Sequence, residues 1–347
     1  MVHIGIDLHK RESQICWLDE GTGEVRHQRI QTRRDRFEAV LGPATPATVL
    51  IEASTESEWV AQCIEALGHR VRIVDPSYAP MYPQARGRRH KNDTRDALAL
   101  ATASLRQTYR EVHRVSAARQ RVREVLTMRE TLVRTRTRLI SVVRSDVRRE
   151  GRRVPSGAPS SFPTRVRTLA LPTAVAESVT PVVTLLELLE TQLLLLDTQL
   201  AQHVAGDAEM QRLQSAPSVG PVTSAAFVAT LDTPARFPSA RQVASYLGLA
   251  PKDDSTGDRH RTGRISKRGS TRVRYLLVQA AWGILRSHSP EGQRLREWGA
   301  GVAARRGGRV AAVAVARRLA RILYAMWRDG TAFEPTSGAS PAVTTTH

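Results

Sequence analysis

HIGIDLHK, residues 3–10, decides how the first third of the chain folds. With Val2 in front, Val2, Ile4 and Ile6 alternate with smaller or polar residues, the period-two pattern of a half-buried strand, and the run ends on Asp7. A second stretch, TVLIEAST (48–55), carries Val49, Leu50 and Ile51 straight into Glu52 and reads as a buried strand. A third, RRHKNDTRDALALA (88–101), reads as a helix start whose Asp93 and Asp96 lie three apart and so share a face. Each acid alone is ordinary, since strands often end in Asp at a turn and acids in a first helical turn complement the helix dipole. It is the combination that points to chemistry. Four carboxylates brought together repel unless a cation sits between them. Oxygen-only ligands suit Mg²⁺ or Mn²⁺. In a strongly basic protein such a cluster points to metal-dependent work on phosphodiesters.

The 347 residues carry a formal net charge of +19, which implies a polyanionic partner. Only four of the 52 basic residues are lysine, Lys10, Lys91, Lys252 and Lys267. A GC-rich genome would account for that choice of arginine, but not for the excess of positive charge. Cys16 and Cys63 are the only cysteines, so no disulfide framework or cysteine zinc site is available and a reducing cytoplasm fits. The chain enters its first strand directly, with no signal peptide. Its most apolar stretch, Leu193–Leu196, is bracketed by Glu187, Glu190 and Asp197, too short and too charged at its edges for a bilayer span. The expected location is cytoplasmic, associated with the nucleoid, with no membrane partner.

Residues 1–110 read as an α/β domain. Strands are expected at 14–18 and 24–30 around a hairpin turn EGTG (20–23), a short helix at 34–41, a helix at 57–68 and a strand at 69–76. Residues 111–206 read as an arm of two long helices. In 115–150, Val125/Leu126, Leu132/Val133 and Leu139/Ile140 recur every seven residues; in 174–204, Val182, Leu186, Leu189, Leu193, Leu196 and Leu200 follow heptad spacing. A Pro-, Gly- and Ser-rich linker at 151–165 joins them, which suggests an antiparallel coiled-coil hairpin, a dimerisation arm, or both. Between 116 and 153, twelve arginines face four acids, more like a nucleic-acid face than an ordinary mixed helix surface. Residues 207–330 read as mainly helical, and 331–347 as a disordered tail. PSVGP (217–221) fits either a helix-hairpin-helix turn or a plain helical corner. KDDSTGDRHRTGRISKRGS (252–270) reads as a polar, basic loop, in which Ser255 and Thr256 lie between acids and cations. From spacing alone, a solvated loop on a nucleic-acid-binding surface explains it better than a nucleophile does.

Six blocks in fixed order carry a family resemblance: HIGIDLHK, LIEAS, HKNDTRDALALA, PSVGPVTSAAFVATL, RFPSARQVASYLGLAP and STGDRHRTGRISKRGSTRVRYLL. Together they resemble the DEDD-type insertion-sequence transposases, recombinases guided by a structured bridge RNA and similar to the Piv-type DNA invertases. The likeness spans residues 2–330. It implies an N-terminal RuvC-like (RNase H-fold) domain, a coiled-coil arm and a C-terminal domain with a nucleophilic serine. The family's four acids would be Asp7, Glu52, Asp93 and Asp96, holding Mg²⁺ or Mn²⁺. The family often places Ser immediately before Gly in the last block; here Thr256 stands there and Ser255 one residue earlier. Ser255 is the expected nucleophile, with Thr256 as the alternative. Phosphate contacts are expected from Arg86, Arg88, Arg89 and Lys91 and from Arg259, Arg261, Arg264, Lys267, Arg268 and Arg272. The expected partners are the element ends and target DNA, a structured guide RNA, and further copies of the chain in a dimer or tetramer whose subunits share composite sites.

Two other classes share parts of the pattern. A RuvC-like nuclease or Holliday-junction resolvase would use the four acids with no covalent protein–DNA link. A sugar-kinase or actin-like ATPase also begins on a strand like IGIDLH, but it needs further Gly-rich phosphate loops after Glu52, and the sequence has none.

Overall fold

The computed structural model describes residues 1–81, 92–253 and 262–335. The chain divides into two compact units, Met1–Val115 and Ser116–His347.

The first unit is built on a five-stranded mixed sheet. In chain order its elements are β1 (Val2–Leu8), β2 (Glu12–Asp19), β3 (Val25–Gln31), α1 (Arg34–Leu41), β4 (Thr48–Glu52), α2 (Ser57–Ala66), β5 (Arg70–Val74) and α3 (Asp93–Arg106). The strand order is β3-β2-β1-β4-β5. β1, β2 and β3 pair antiparallel, while β1, β4 and β5 run parallel. Such a mixed sheet is compatible with an RNase H-like α/β domain. Alternation sorts the strands into two buried faces. Ile4, Ile6, Ile15, Val49, Ile51 and Ile73 pack with Phe37 and Leu41 of α1 and Val60 and Ile64 of α2. The opposite face offers Cys16 and Leu18 to Ala97 and Ala101 of α3, and Leu50 and Val74 to Leu100 and Ala103.

Gly5 fixes how closely α3 lies on the sheet. A Cβ at that position would stand 2.1 Å from the Ala97 carbonyl oxygen and 2.4 Å from the Ala101 nitrogen. Farther along, the His3 imidazole and the Ser104 hydroxyl share a buried 2.8 Å hydrogen bond. Residues 3 and 5 of β1 thus meet residues 104 and 97–101 of α3, so the helix runs antiparallel to the strand.

The second unit is helical apart from one small hairpin. α4 (Ala117–Arg149) is followed by α5 (Phe162–Arg167), α6 (Thr173–Ala205), α7 (Ala208–Leu213), α8 (Pro221–Leu231) and α9 (Ala240–Tyr246). Then come β6 (Pro251–Asp253), β7 (Thr262–Ile265), α10 (Thr271–Arg286), α11 (Gln293–Arg306) and α12 (Gly308–Asp329). α4 and α6 pack antiparallel. Arg129 pairs with Asp197, and Arg136 Nη1 lies 3.0 Å from Glu190 Oε1, so a step of seven forward on one helix is matched by seven back on the other. Ile140, Val143 and Val147 meet Val179, Val183 and Leu186 in the same seam, which Phe162 and Val166 of α5 close. By length and composition alone α6 could cross a membrane. Its inner face instead rests on α4, and Glu190 and Asp197 are paired with arginines.

The expected linker contains one structured turn, α5, which the Pro and Ser content of the stretch hides. The expected 252–270 loop is likewise only partly a loop, since β6 and β7 pair antiparallel at its base. The turn after Pro217 packs as a helical corner: Ser218 takes the left-handed φ of 59°, and its Oγ would meet a Cβ at Gly283 of α10 at 2.8 Å. α8 is apolar all round and lies at the centre of the unit, where Phe227 meets Trp327 of α12 edge-on. The Arg123 side chain of α4 donates to the Ala229 and Thr230 carbonyls at 2.7 and 3.0 Å, satisfying the C-terminal end of α8.

Candidate metal centre

β1 and β4 are in parallel register through Ile6 opposite Ile51, which leaves Asp7 and Glu52 as neighbours one step farther on. Both lie on the α3 face of the sheet, because Asp7 shares its parity with Gly5 and Glu52 with Leu50. Antiparallel α3 then brings its own N-terminus to that end of the strands. Asn92 caps the helix, its side chain accepting from the Thr94 N–H, and Asp93 and Asp96 occupy the first turn.

The tightest product of this arrangement is a group the four-acid reading does not contain. One carboxylate oxygen each from Asp7 and Asp93 and one ring nitrogen of His9 lie within 4.8 Å of one another. His9 Nε2 stands 3.3 Å from Asp7 Oδ2 and 3.5 Å from Asp93 Oδ1. The Asp7 side chain is 5% exposed, while His9 and Asp93 are open to solvent at 44% and 42%. The group therefore has a buried floor and an accessible mouth. Glu52 and Asp96, both half-buried, stand at its edge on the neighbouring strand and at the next step of the helix, outside the group of three. His9 follows Asp7 by two residues, the strand repeat that keeps side chains on one side, a signal that acquires meaning only once the facing of β1 is known.

Two carboxylates and an imidazole at this spacing are hard-to-borderline donors that fit a divalent cation such as Mg²⁺ or Mn²⁺. Asp7, Asp93 and His9 would hold it, with Glu52 and Asp96 near enough in the fold to complete or orient the set. The arrangement concentrates negative charge at one accessible point of a basic chain.

The expected phosphate contacts separate into three kinds. Arg86, Arg88, Arg89 and Lys91, and Ser255, Thr256, Arg259 and Arg261, lie outside the described residues. Arg264, Lys267 and Arg268 are exposed on and just after β7. Arg272 differs from the expectation: its Nε lies 2.6 Å from Glu130 Oε2 and its Nη2 2.9 Å from the Thr127 hydroxyl, so an acid 142 positions away takes its charge. The arginine excess of α4 is reduced in the same manner. Arg119 bridges Asp207 and Glu209, and Arg129 and Arg136 pair with α6.

Comparisons with known proteins cover nearly the whole chain. Residues 4–148 match the model of the IS110 DEDD transposases, and residues 210–296 match that of the transposase IS116/IS110/IS902 family. A probable family 20 transposase of Pseudomonas aeruginosa is 32% identical over 342 residues, covering 96% of this chain and 98% of the relative. The transposase for insertion sequence element IS1111A of Coxiella burnetii is 28% identical, covering 93% of this chain and 88% of the relative. That for IS1328 of Yersinia enterocolitica is also 28% identical, covering 95% and 98%.

Proposed function

This chain belongs to the DEDD-type insertion-sequence transposases of the IS116/IS110/IS902 family and is a DNA transposase, and from that premise we propose that Asp7, Glu52, Asp93 and Asp96, together with His9, form its divalent-metal site. The grouping of Asp7, His9 and Asp93 within 4.8 Å carries the reading. A bound Mg²⁺ or Mn²⁺ supplies charge neutralisation where negative charge gathers on a phosphodiester. The chain's own contribution is positional. The sheet holds Asp7 and Glu52 side by side, Gly5 admits α3, and α3 delivers Asp93 and Asp96.

Ser255 is the proposed nucleophile, with Thr256 as its alternative. Its hydroxyl oxygen forms a bond to phosphorus while the bond from phosphorus to the departing strand's oxygen breaks, and the hydroxyl proton ends on that oxygen. Reversal with a different strand end completes exchange. Basic residues at 86–91 and 259–268 steady the phosphates. The α4–α6 hairpin serves as a coiled-coil arm between copies of a dimer or tetramer, a structured RNA guides the choice of DNA, and the enzyme works in the cytoplasm at the nucleoid. The proposed division of labour is acids in 1–110, arm in 111–206, serine loop in 207–330 and tail in 331–347.

Purified protein incubated with RNA, donor and target DNA and Mg²⁺ tests this directly. Asp7→Asn and Asp93→Asn are expected to lower strand cleavage by more than about a hundredfold with secondary structure intact. Ser255→Ala is expected to remove the protein–DNA adduct seen on a denaturing gel. Cleavage at the normal rate by Asp7→Asn would sink the metal site. Cleavage without any adduct in the unmodified enzyme would favour a resolvase-like hydrolysis.

A further inference from the structure

A groove of about 1420 Å³ opens on the second unit between β7, α11 and α12. Its rim is cationic: Lys267 comes from the β7 side, Arg306 from α11, and Arg309, Arg317 and Arg321 from α12. Its floor is apolar, with Val313, Ile322, Trp298 and Phe333. Glu334 is the one acid among the residues lining it.

The arginines here differ from those of the helical hairpin. On α4, Arg119, Arg129 and Arg136 each have a carboxylate partner. Among the described residues, Arg306, Arg309, Arg317 and Arg321 have none. The Arg317 Nε is buried and makes no hydrogen bond. Burial, and then the neighbouring guanidiniums of Arg321 and Arg241, lower the pKa of Arg317, so the cluster works against itself until an anion arrives. Arg309, Arg317 and Arg321 follow one another at eight and four residues along α12, a ladder about 18 Å long at 1.5 Å per residue, while Arg328, seven residues farther on, is held by Asp329 at 2.7 Å. In the floor, Trp298 of α11 is 39% exposed and the Arg318 guanidinium lies 4.9 Å from the centre of its ring.

Cations on the rim would suit any phosphate backbone. The apolar floor discriminates. A duplex turns its charged exterior to the protein and keeps its bases stacked, so it gains nothing from Val313, Ile322 or the exposed part of the Trp298 indole. An unpaired strand presents base faces that stack on aromatic and apolar surface while its phosphates lie along the cations. The partner already established for the enzyme is DNA, and a DNA strand cut from its complement is unpaired. We infer that this groove binds unpaired DNA, with its phosphates on Arg309, Arg317 and Arg321 and a base against Trp298. The ladder on α12 lies beyond residues 210–296, the C-terminal segment that the family comparison matches. The inference rests on the transposase assignment and deepens it by giving the strand a track that starts at β7, the strand that follows residues 254–261 in the chain.

Fluorescence anisotropy of the full chain with labelled oligothymidylate of about 20 nucleotides, in EDTA so that no cleavage runs, tests the groove by itself. The same measurement is made on its duplex with oligoadenylate and on oligouridylate. The single-stranded DNA is expected to bind tightest. Arg317→Ala combined with Arg321→Ala is expected to weaken it at least tenfold and to lower the slope of log affinity against log salt by about 1.4, two contacts at about 0.7 each. Trp298→Leu, which keeps an apolar side chain on the helix, is expected to weaken it about fivefold or more without changing that slope. Circular dichroism checks each variant's folding. Equal binding by unmodified chain and double variant, tighter binding of the duplex, or tighter binding of the RNA would each overturn the inference. Failure of the serine assignment would read differently, as loss of the denaturing-gel adduct with anisotropy unchanged.

Discussion

A single missing methyl group sets the geometry of the proposed site. Gly5→Ala would place a Cβ against backbone at 2.1 and 2.4 Å, where nothing flexible can move aside. The expected cost is about 3 kcal/mol or more, read as a lower denaturation midpoint, with cleavage lost at temperatures where the chain is still folded. Two positions earlier, His3 gives the first unit a pH dependence. Burial, the largest cause, lowers its pKa below the ordinary 6.5, and Glu20, 4.0 Å from Nε2, offsets part of that. A base with a lowered folded-state pKa takes up its proton more readily when unfolded. Stability is therefore present above about pH 6.5 and declines as pH falls through it. His3→Asn is expected to flatten the thermal-melting profile between about pH 7 and 5.5; an unchanged profile would reject the assignment. The places of Asp7, Glu52, Asp93 and Asp96 in the fold were legible because each ends or begins an element whose apolar pattern is plain. His9 was not, because a histidine after a strand has no signature until the strand's facing is known.

At the scale of elements, heptad spacing made α4 and α6 readable almost to their ends, since each seam repeats over 33 residues. What spacing could not give is which charges are spent inside the protein. Arg272 looked like a phosphate contact and is held by Glu130; α4 looked like a nucleic-acid face and pairs several of its arginines with α6 and α7. Such pairings join residues far apart in sequence and leave no local trace. The Arg136–Glu190 pair, 18% and 21% exposed, offers a clean check. Arg136→Glu is expected to destabilise the helical unit by about 2 kcal/mol, and adding Glu190→Arg to restore most of it, as measured by urea denaturation. No recovery in the double variant would mean that the pair is not formed. β6 and β7 escaped the sequence for a different reason: three and four residues are too few for a period to register.

For the molecule as a whole, the proposed function divides the work, with a charge of +19 for binding and a compact acidic group for chemistry. Chelation by EDTA is expected to stop DNA cleavage while leaving DNA binding in place, with binding falling steeply as salt rises. Binding lost on chelation, with no change in cleavage after Mg²⁺ is restored, would contradict that division. Net charge announced the partner class from composition alone. The arginine groove on α11 and α12 stayed hidden, because its cations converge only after the helices pack.

The clearance at Gly5 has a last consequence, in the currency of ionic radius. Because α3 rests on bare backbone, the distance between Asp93 and the sheet acids is fixed by the closest approach two chains allow. A cation held at about 2.0–2.1 Å needs donors drawn in tightly, whereas one held at about 2.3–2.6 Å tolerates a wider cage. A helix standing off by one carbon would widen the cage toward Ca²⁺. In the proposed site the glycine thus acts as a ruler, selecting for the smaller ion without touching it.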